Sequence, residues 1–292
     1  MWSNDRMIFK PWEWTTIDGV LHGVRILGVL QRIALAYLFS SLIIYFFKTK
    51  AAFVFSAFIL LMYWFLCFAF GDKTDPYSLS GYFGTHIDKS ILGEAHMYHG
   101  EGVAFDPEGI ASTLTSIVQV IFGYIVGEYI QQKGRTYEML SNLFIAGTIL
   151  VFSGFIWDMV FPINKKIWTS SYTIYTSGLA TITIATMIFL IEYRNVRGWL
   201  TKFFDVFGKN ALFVFALSSF LPRTLALIRI PDHLNDKGKM VYINPWNWLY
   251  QKVLIHVPGD PRIGSLLYAV CVITFMWAIC YWMDRKRIYV KV

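Results

Sequence analysis

The sequence predicts an all-α, polytopic transmembrane helical bundle of about seven spans, and three observations carry that prediction. Of the 292 residues, 56% are hydrophobic and only 15% charged, against about 25% charged in an ordinary soluble domain. The mean hydropathy is +0.48, and mainly apolar runs of about 20 residues recur along the chain, long enough for a helix to cross a ~30 Å hydrocarbon layer. Eleven Trp, 17 Tyr and 25 Phe supply amphipathic rings for two membrane–water interfaces.

In chain order the spans fall at 25–46, 51–70, 110–130, 139–161, 171–191, 207–221 and 264–283. Lys48 and Lys50 mark a tight turn between the first two. The third follows Phe105-Asp-Pro-Glu-Gly109 and carries Gly123-Tyr-Ile-Val-Gly127, a small-xxx-small pattern that predicts a helix contact. Pro162–Ser171 turns the chain between the fourth and fifth. In the sixth, Pro222 is expected to kink the helix rather than end it, carrying it on toward Ile230 with Arg223 inside. Two longer segments, 71–109 and 222–263, hold enough aromatics to predict ordered structure. Within the second, Asn244-Pro-Trp-Asn-Trp-Leu-Tyr250 reads as the start of a short interfacial helix, with Pro245 suited to its first turn. Cys67, Cys271 and Cys280 lie in apolar runs without metal spacing and read as buried free thiols.

The net charge of +7 does not point to nucleic acid, because the Lys and Arg sit mostly in turns between spans. They are densest in the compact loops around Lys48, Lys133, Arg194 and Arg285, which predicts a cytoplasmic C-terminus. Residues 1–24 are then an extracytoplasmic segment, and 25–292 form the membrane domain. Nothing before residue 25 resembles a signal peptide, so further helices are expected upstream.

Several polar groups stand where a membrane protein needs a reason for them. Gln31 and Arg32 lie about two turns into an apolar helix, where a charge costs several kcal/mol unless it meets a cavity or a partner. A guanidinium also presents a fork for phosphate or carboxylate. Arg25 lies nearer the interface, as an anchor or a ligand contact. Pro107 suits a first helical position, which makes Asp106 an N-cap and puts Glu108 in the first turn. The same two carboxylates, beside His96, can instead orient an amine or hydroxyl and move its proton. His96 and His99 lack the spacing of a metal motif, and no metal is expected. Asn164, Lys165, Trp168 and Ser171 gather donors and a ring in one turn, either as a capped interfacial turn or over a polar ligand. Gly208-Lys-Asn210 can break the sixth span and point amide donors inward, or simply cap it.

Taken in order, Arg25-Ile-Leu-Gly-Val-Leu-Gln-Arg32, Gly93-Glu-Ala-His96, Phe105-Asp-Pro-Glu-Gly109, Ile163-Asn-Lys-Lys-Ile-Trp-Thr-Ser-Ser171 and Gly208-Lys-Asn-Ala-Leu212 resemble the heparan-α-glucosaminide N-acetyltransferase family and its bacterial relatives. The resemblance implies a membrane acyltransferase that takes acetyl from acetyl-CoA on the cytoplasmic side to an aminosugar or glycan acceptor on the other. It places the protein in a bacterial inner membrane. Glu108, Asp106 and His96 are the expected catalytic group. Arg25, Gln31, Arg32, Asn164, Lys165, Trp168, Ser171 and Asn210 are the expected binding residues. The resemblance also implies that the family's catalytic His precedes the first motif, so that this chain is the C-terminal portion of the fold. The partners expected are the lipid bilayer, acetyl-CoA and the acceptor, with a homodimer left open. A transporter or flippase, or a non-catalytic membrane subunit, is the alternative.

Overall fold

A computed structural model describes residues 23–234, 240–258 and 260–290, with the backbone of four short strands ahead of them. Half of the segment 1–24 therefore lies outside the described residues. Two compact units divide the chain, 1–193 and 194–292.

The first unit is built on α1 (Val29–Phe70), α2 (Phe83–Leu92), α3 (Ile110–Lys133), α4 (Tyr137–Asp158) and α5 (Ser170–Ile188). At 42 residues, α1 would run about 63 Å at 1.5 Å per residue, twice the hydrocarbon thickness. It does not run straight, because Lys48 leaves helical geometry at φ 57°, ψ 172°. Contacts with α3 show a hairpin. Arg32 bonds Ser116 near the start of α3, Thr49 bonds Glu128 near its end, and Ile59 and Leu60 return to Val118. Thus α1 supplies the first two of the seven expected spans.

Small residues set how closely α4 and α5 approach. A Cβ placed on Gly178 would stand 2.7 Å from the Gly147 carbonyl oxygen and 2.7 Å from the Val151 nitrogen. The pattern singled out in the sequence behaves differently. Among the described residues nothing outside α3's own backbone lies within 4 Å of a Cβ built at Gly123 or Gly127, so that pair makes no close helix contact there. The reason is rotational: α3 turns Ile117 and Ile121 toward α1 and Val126 and Tyr129 toward α4, which leaves the glycines on an open flank.

The second unit comprises α6 (Trp199–Gly208), α7 (Ala211–Leu225), a hairpin of Ile230–Leu234 with Met240–Ile243, α8 (Pro245–Lys252) and α9 (Pro261–Arg285). The expected sixth span, 207–221, is α7 with the end of α6; most of α6 forms instead in the expected loop 192–206, and the two helices are bent by 76°. The break falls at Gly208-Lys-Asn210, and α7 runs through Pro222 to end at Leu225, short of Ile230. The interfacial helix is α8, with Pro245 in its first turn and the Asn244 side chain accepting from the Asn247 amide. Among the described residues five helices are long and apolar enough to cross a membrane, six with the bent pair. All three cysteines are free, but only Cys67 and Cys280 are buried; Cys271 is exposed on the apolar face of α9.

Candidate functional site

The polar residues of the first unit converge where α1, α3 and α5 begin. Arg25 is not part of the first helix, as the sequence suggested. Gly28 caps α1, and 23–28 is extended, pinned by Gly23 N–H to the Ala95 carbonyl (2.9 Å) and Ile26 N–H to the His96 carbonyl (3.2 Å). Extended backbone carries the Arg25 side chain across to the turn before α3. There Nε meets Asp106 Oδ2 at 3.1 Å and Nη2 meets Asp106 Oδ1 at 2.6 Å. The same Nη2 reaches Glu108 Oε2 at 2.5 Å, and the guanidinium lies 4.9 Å from the centre of the Tyr98 ring. Burial works against the Arg25 cation, but the bonds and charges of Asp106 and Glu108 outweigh it and hold the guanidinium more firmly protonated than usual.

Asp106 is not the helix cap. Its side chain is fully buried, and besides Arg25 it accepts the Glu108 amide at 3.0 Å, closing a small turn that aims Glu108 outward. The first helical residue is Ile110, and its amide is capped from another element, by Asp88 Oδ1 of α2 at 2.9 Å. Burial pushes the Asp88 carboxyl up to about 6; the Ile110 amide pulls against that, and the nearby Asp106 charge adds to it. Gly109 is required here, because a Cβ would collide with the Asp88 carboxylate. Both oxygens of Asp106 are thus committed. Glu108 keeps some exposure, and its Oε1 makes no hydrogen bond among the described residues. Glu108 is the carboxylate able to meet a ligand.

Arg32 is buried, with 6% of its surface exposed. Its Nε donates to Ser116 Oγ (2.7 Å), Nη1 to the Pro107 carbonyl (2.7 Å) and Nη2 to the Ser112 carbonyl (3.1 Å). Nη2 also contacts Ser116 Oγ. The guanidinium carbon stands 3.9 Å from the Trp168 ring centre. Each nitrogen and one face of this cation are therefore used inside the protein. It is a scaffold tying the Asp106–Glu108 turn to Trp168, with no free fork for a phosphate.

The turn before α5 explains Trp168. The Asn164 amide donates to Thr169 Oγ1 (3.0 Å), the Thr169 amide returns to the Asn164 carbonyl (3.2 Å), and Asn164 Oδ1 takes the Lys166 amide (2.9 Å). This tight loop holds Trp168 at φ 52°, with its carbonyl accepting from Thr115 Oγ1 at 2.7 Å. Its indole N–H donates to Gln119 Oε1 at 3.1 Å. Ser171 is buried and closes the turn through the Pro162 carbonyl and Thr169 Oγ1, both at 3.1 Å. Lys165 is exposed at the rim, and Lys166 pairs with Glu101. His96 is buried and donates from Nδ1 to the Val24 carbonyl at 2.7 Å, since a carbonyl only accepts. Its bond therefore fixes the strand that carries Arg25.

The structure thus joins Arg25, Asp106, Glu108, Arg32 and Trp168, with Asn164, His96 and Ser171 as supports. Gln31 is exposed on α1. Asn210 belongs to the second unit, where its buried amide holds the tail: Oδ1 accepts the Val290 amide at 2.9 Å and Nδ2 donates to the Ile288 carbonyl at 3.3 Å. The Lys209 and Asn210 backbone amides are used by the Asp205 and Phe207 carbonyls. The sequence reading passed over Asp88, Ser112, Ser116 and Gln119. The last three stand at i, i+4 and i+7 of an apolar helix, a polar stripe that marks a face turned to polar partners.

No family model matches the chain. The heparan-alpha-glucosaminide N-acetyltransferase of Homo sapiens is 30% identical to it over 151 residues, which is 44% of this chain and 22% of that protein. The protein of the same name from Mus musculus is 29% identical over 157 residues, 48% of this chain and 23% of its own length. The chain therefore spans under a quarter of the length of the curated relatives it matches. This all-α membrane chain thus stands in a family-level relationship to the heparan-alpha-glucosaminide N-acetyltransferases.

Proposed function

We propose that this chain forms part of a membrane acyltransferase that moves an acetyl group from acetyl-CoA to an aminosugar or glycan acceptor. The observation that carries the proposal is Glu108: a half-sheltered carboxylate, braced by Arg25, with one oxygen uncommitted. An amine attacking a thioester must lose a proton as its C–N bond forms and the C–S bond breaks. Glu108 is placed to take that proton and release it at the acceptor's face, while the CoA thiolate departs on the other side and takes its proton from water there. Asp106 and Arg32 position the turn, while the Trp168 and Tyr98 rings offer flat apolar faces of the kind that pack on a sugar. This end of the bundle is opposite the one bearing Lys48, Lys50 and Arg135. With that basic end in the cytoplasm of a bacterial inner membrane, the site faces outward and receives the acceptor there.

The test reconstitutes the full protein in liposomes, with acetyl-CoA and a glucosamine oligosaccharide on opposite sides. Wild type should transfer acetyl, and Glu108→Gln should lower kcat by about 100-fold or more with the protein still folded. Undiminished transfer by Glu108→Gln removes the assignment.

A further inference from the structure

We propose that Gln119 of α3 is the positioning residue for Trp168, and through it for the Arg32 face of the site; this rests on the functional reading above. Four groups form a hydrogen-bonded chain across α3 and α5. The Trp168 indole N–H donates to Gln119 Oε1 at 3.1 Å, and Gln119 Nε2 donates to Thr176 Oγ1 at 3.1 Å. The Thr176 hydroxyl donates in turn to the Tyr172 carbonyl at 2.7 Å. Its direction has one solution. A backbone carbonyl only accepts, so the Thr176 proton is spent on Tyr172 and its oxygen must receive from Gln119. With the amide nitrogen committed there, Gln119 has only its oxygen to offer Trp168. An indole nitrogen is a donor and nothing else, so both ends of the chain agree.

Trp168 needs that oxygen. Its backbone is held by Thr115 and the Asn164–Thr169 loop, but these leave the ring free to rotate about its side-chain torsions. The ring is kept over Arg32 by the cation–π contact on one face, an edge contact with Tyr172 at 5.1 Å, and the bond to Gln119. An indole N–H left unpaired in an apolar bundle is costly, so the position of the acceptor decides where the ring points. Gln119 opens onto a cavity of about 170 Å³ between α3 and α5, which Ser177 also lines. The Ser177 hydroxyl is 6% exposed as a residue and has no partner among the described residues. Without Gln119 the indole N–H loses its acceptor, and only the Arg32 contact and the Tyr172 edge are left to set the direction of the ring.

The test uses the full protein in liposomes and two readouts. The first is the ultraviolet resonance Raman signal of the Trp168 indole N–H, taken as the difference between each variant and the same variant carrying Trp168→Phe. The second is steady-state acetyl transfer with acetyl-CoA and a glucosamine oligosaccharide. Gln119→Leu should abolish the hydrogen-bonded signal of Trp168 and raise KM for the oligosaccharide about tenfold, with kcat within about twofold. Gln119→Glu keeps an acceptor and should restore both. Thr176→Val, which frees the amide to turn over, should shift both readouts in the direction of Gln119→Leu and serves alone if that variant does not fold. An unchanged Trp168 signal in Gln119→Leu, or in Thr176→Val where it alone folds, overturns the proposal, as does a fall in kcat at constant KM. If the wild type transfers no acetyl group, the acyltransferase reading fails, while the Raman difference still decides whether Gln119 positions Trp168.

Discussion

Replacing Arg32 by Met tests whether the guanidinium is scaffold. The side chain is buried and donates to Ser116 Oγ, the Pro107 carbonyl and the Ser112 carbonyl, with Trp168 on its face. Hydrogen bonds inside membrane bundles contribute about 0.6 kcal/mol each and at most about 1.7, so three give roughly 2–5 kcal/mol. A desolvated cation–π contact adds about 2 kcal/mol. Two features reduce the loss. The Ser112 hydroxyl stands 3.2 Å from the Pro107 carbonyl and the Ser116 hydroxyl 3.3 Å from the Ser112 carbonyl, so each acceptor keeps a donor within reach. Met also removes the cost of burying a charge, which in other proteins offsets much of an ion's contribution. The expected net loss is about 2–3 kcal/mol. It is to be measured by equilibrium unfolding in detergent for Arg32→Met, Trp168→Leu and the double variant. The two singles should couple by about 1–2 kcal/mol. Additive singles, or an Arg32→Met protein as stable as wild type, would refute the scaffold role.

Asp88→Asn keeps an acceptor for the Ile110 amide and removes a charge whose carboxyl burial has pushed up to about 6. The folded state binds that proton more tightly than the unfolded chain, whose value is about 3.9. The contribution to stability is therefore present below about pH 4 and lost as pH rises through about 6. The variant should melt higher than wild type at pH 7–8, with the gap closing toward pH 4; a gap constant across that range contradicts the buried-carboxyl account. Gly178→Ala should cost about 1–3 kcal/mol, because its Cβ would meet α4 backbone at 2.7 Å. Gly123→Ala, with nothing within 4 Å, should be neutral or stabilising by up to about 1 kcal/mol. Thermal unfolding of the pair in one detergent decides it, and equal behaviour contradicts the helix contact described.

Membrane embedding and the apolar helices were legible in the sequence because they depend on length and hydropathy, which are local. The break at Lys48 and the α8 start were legible for the same reason, through paired Lys and an Asn-Pro step. The helix contact was not. Two glycines at i,i+4 occur in Gly123–Gly127, but sequence spacing does not say which flank of a helix meets a neighbour. The close approach is made instead by Gly147 and Gly178, 31 residues apart in the chain by their numbers.

For the site, the sequence by itself determined which residue types had to be accounted for: a buried Arg32, the Asp106–Glu108 turn and a polar loop around Trp168. Their presence in apolar surroundings was the signal, since each has a desolvation cost that some partner must offset. Tertiary structure alone decided the partners. Asp88, 22 residues before Ile110, caps α3 and releases Asp106 to Arg25. Arg32, which had looked free to bind a ligand, is consumed by Pro107, Ser112 and Ser116, more than 70 residues away. A hydrogen bond is satisfied in space, so its partner is fixed only when helices from distant parts of the chain have packed.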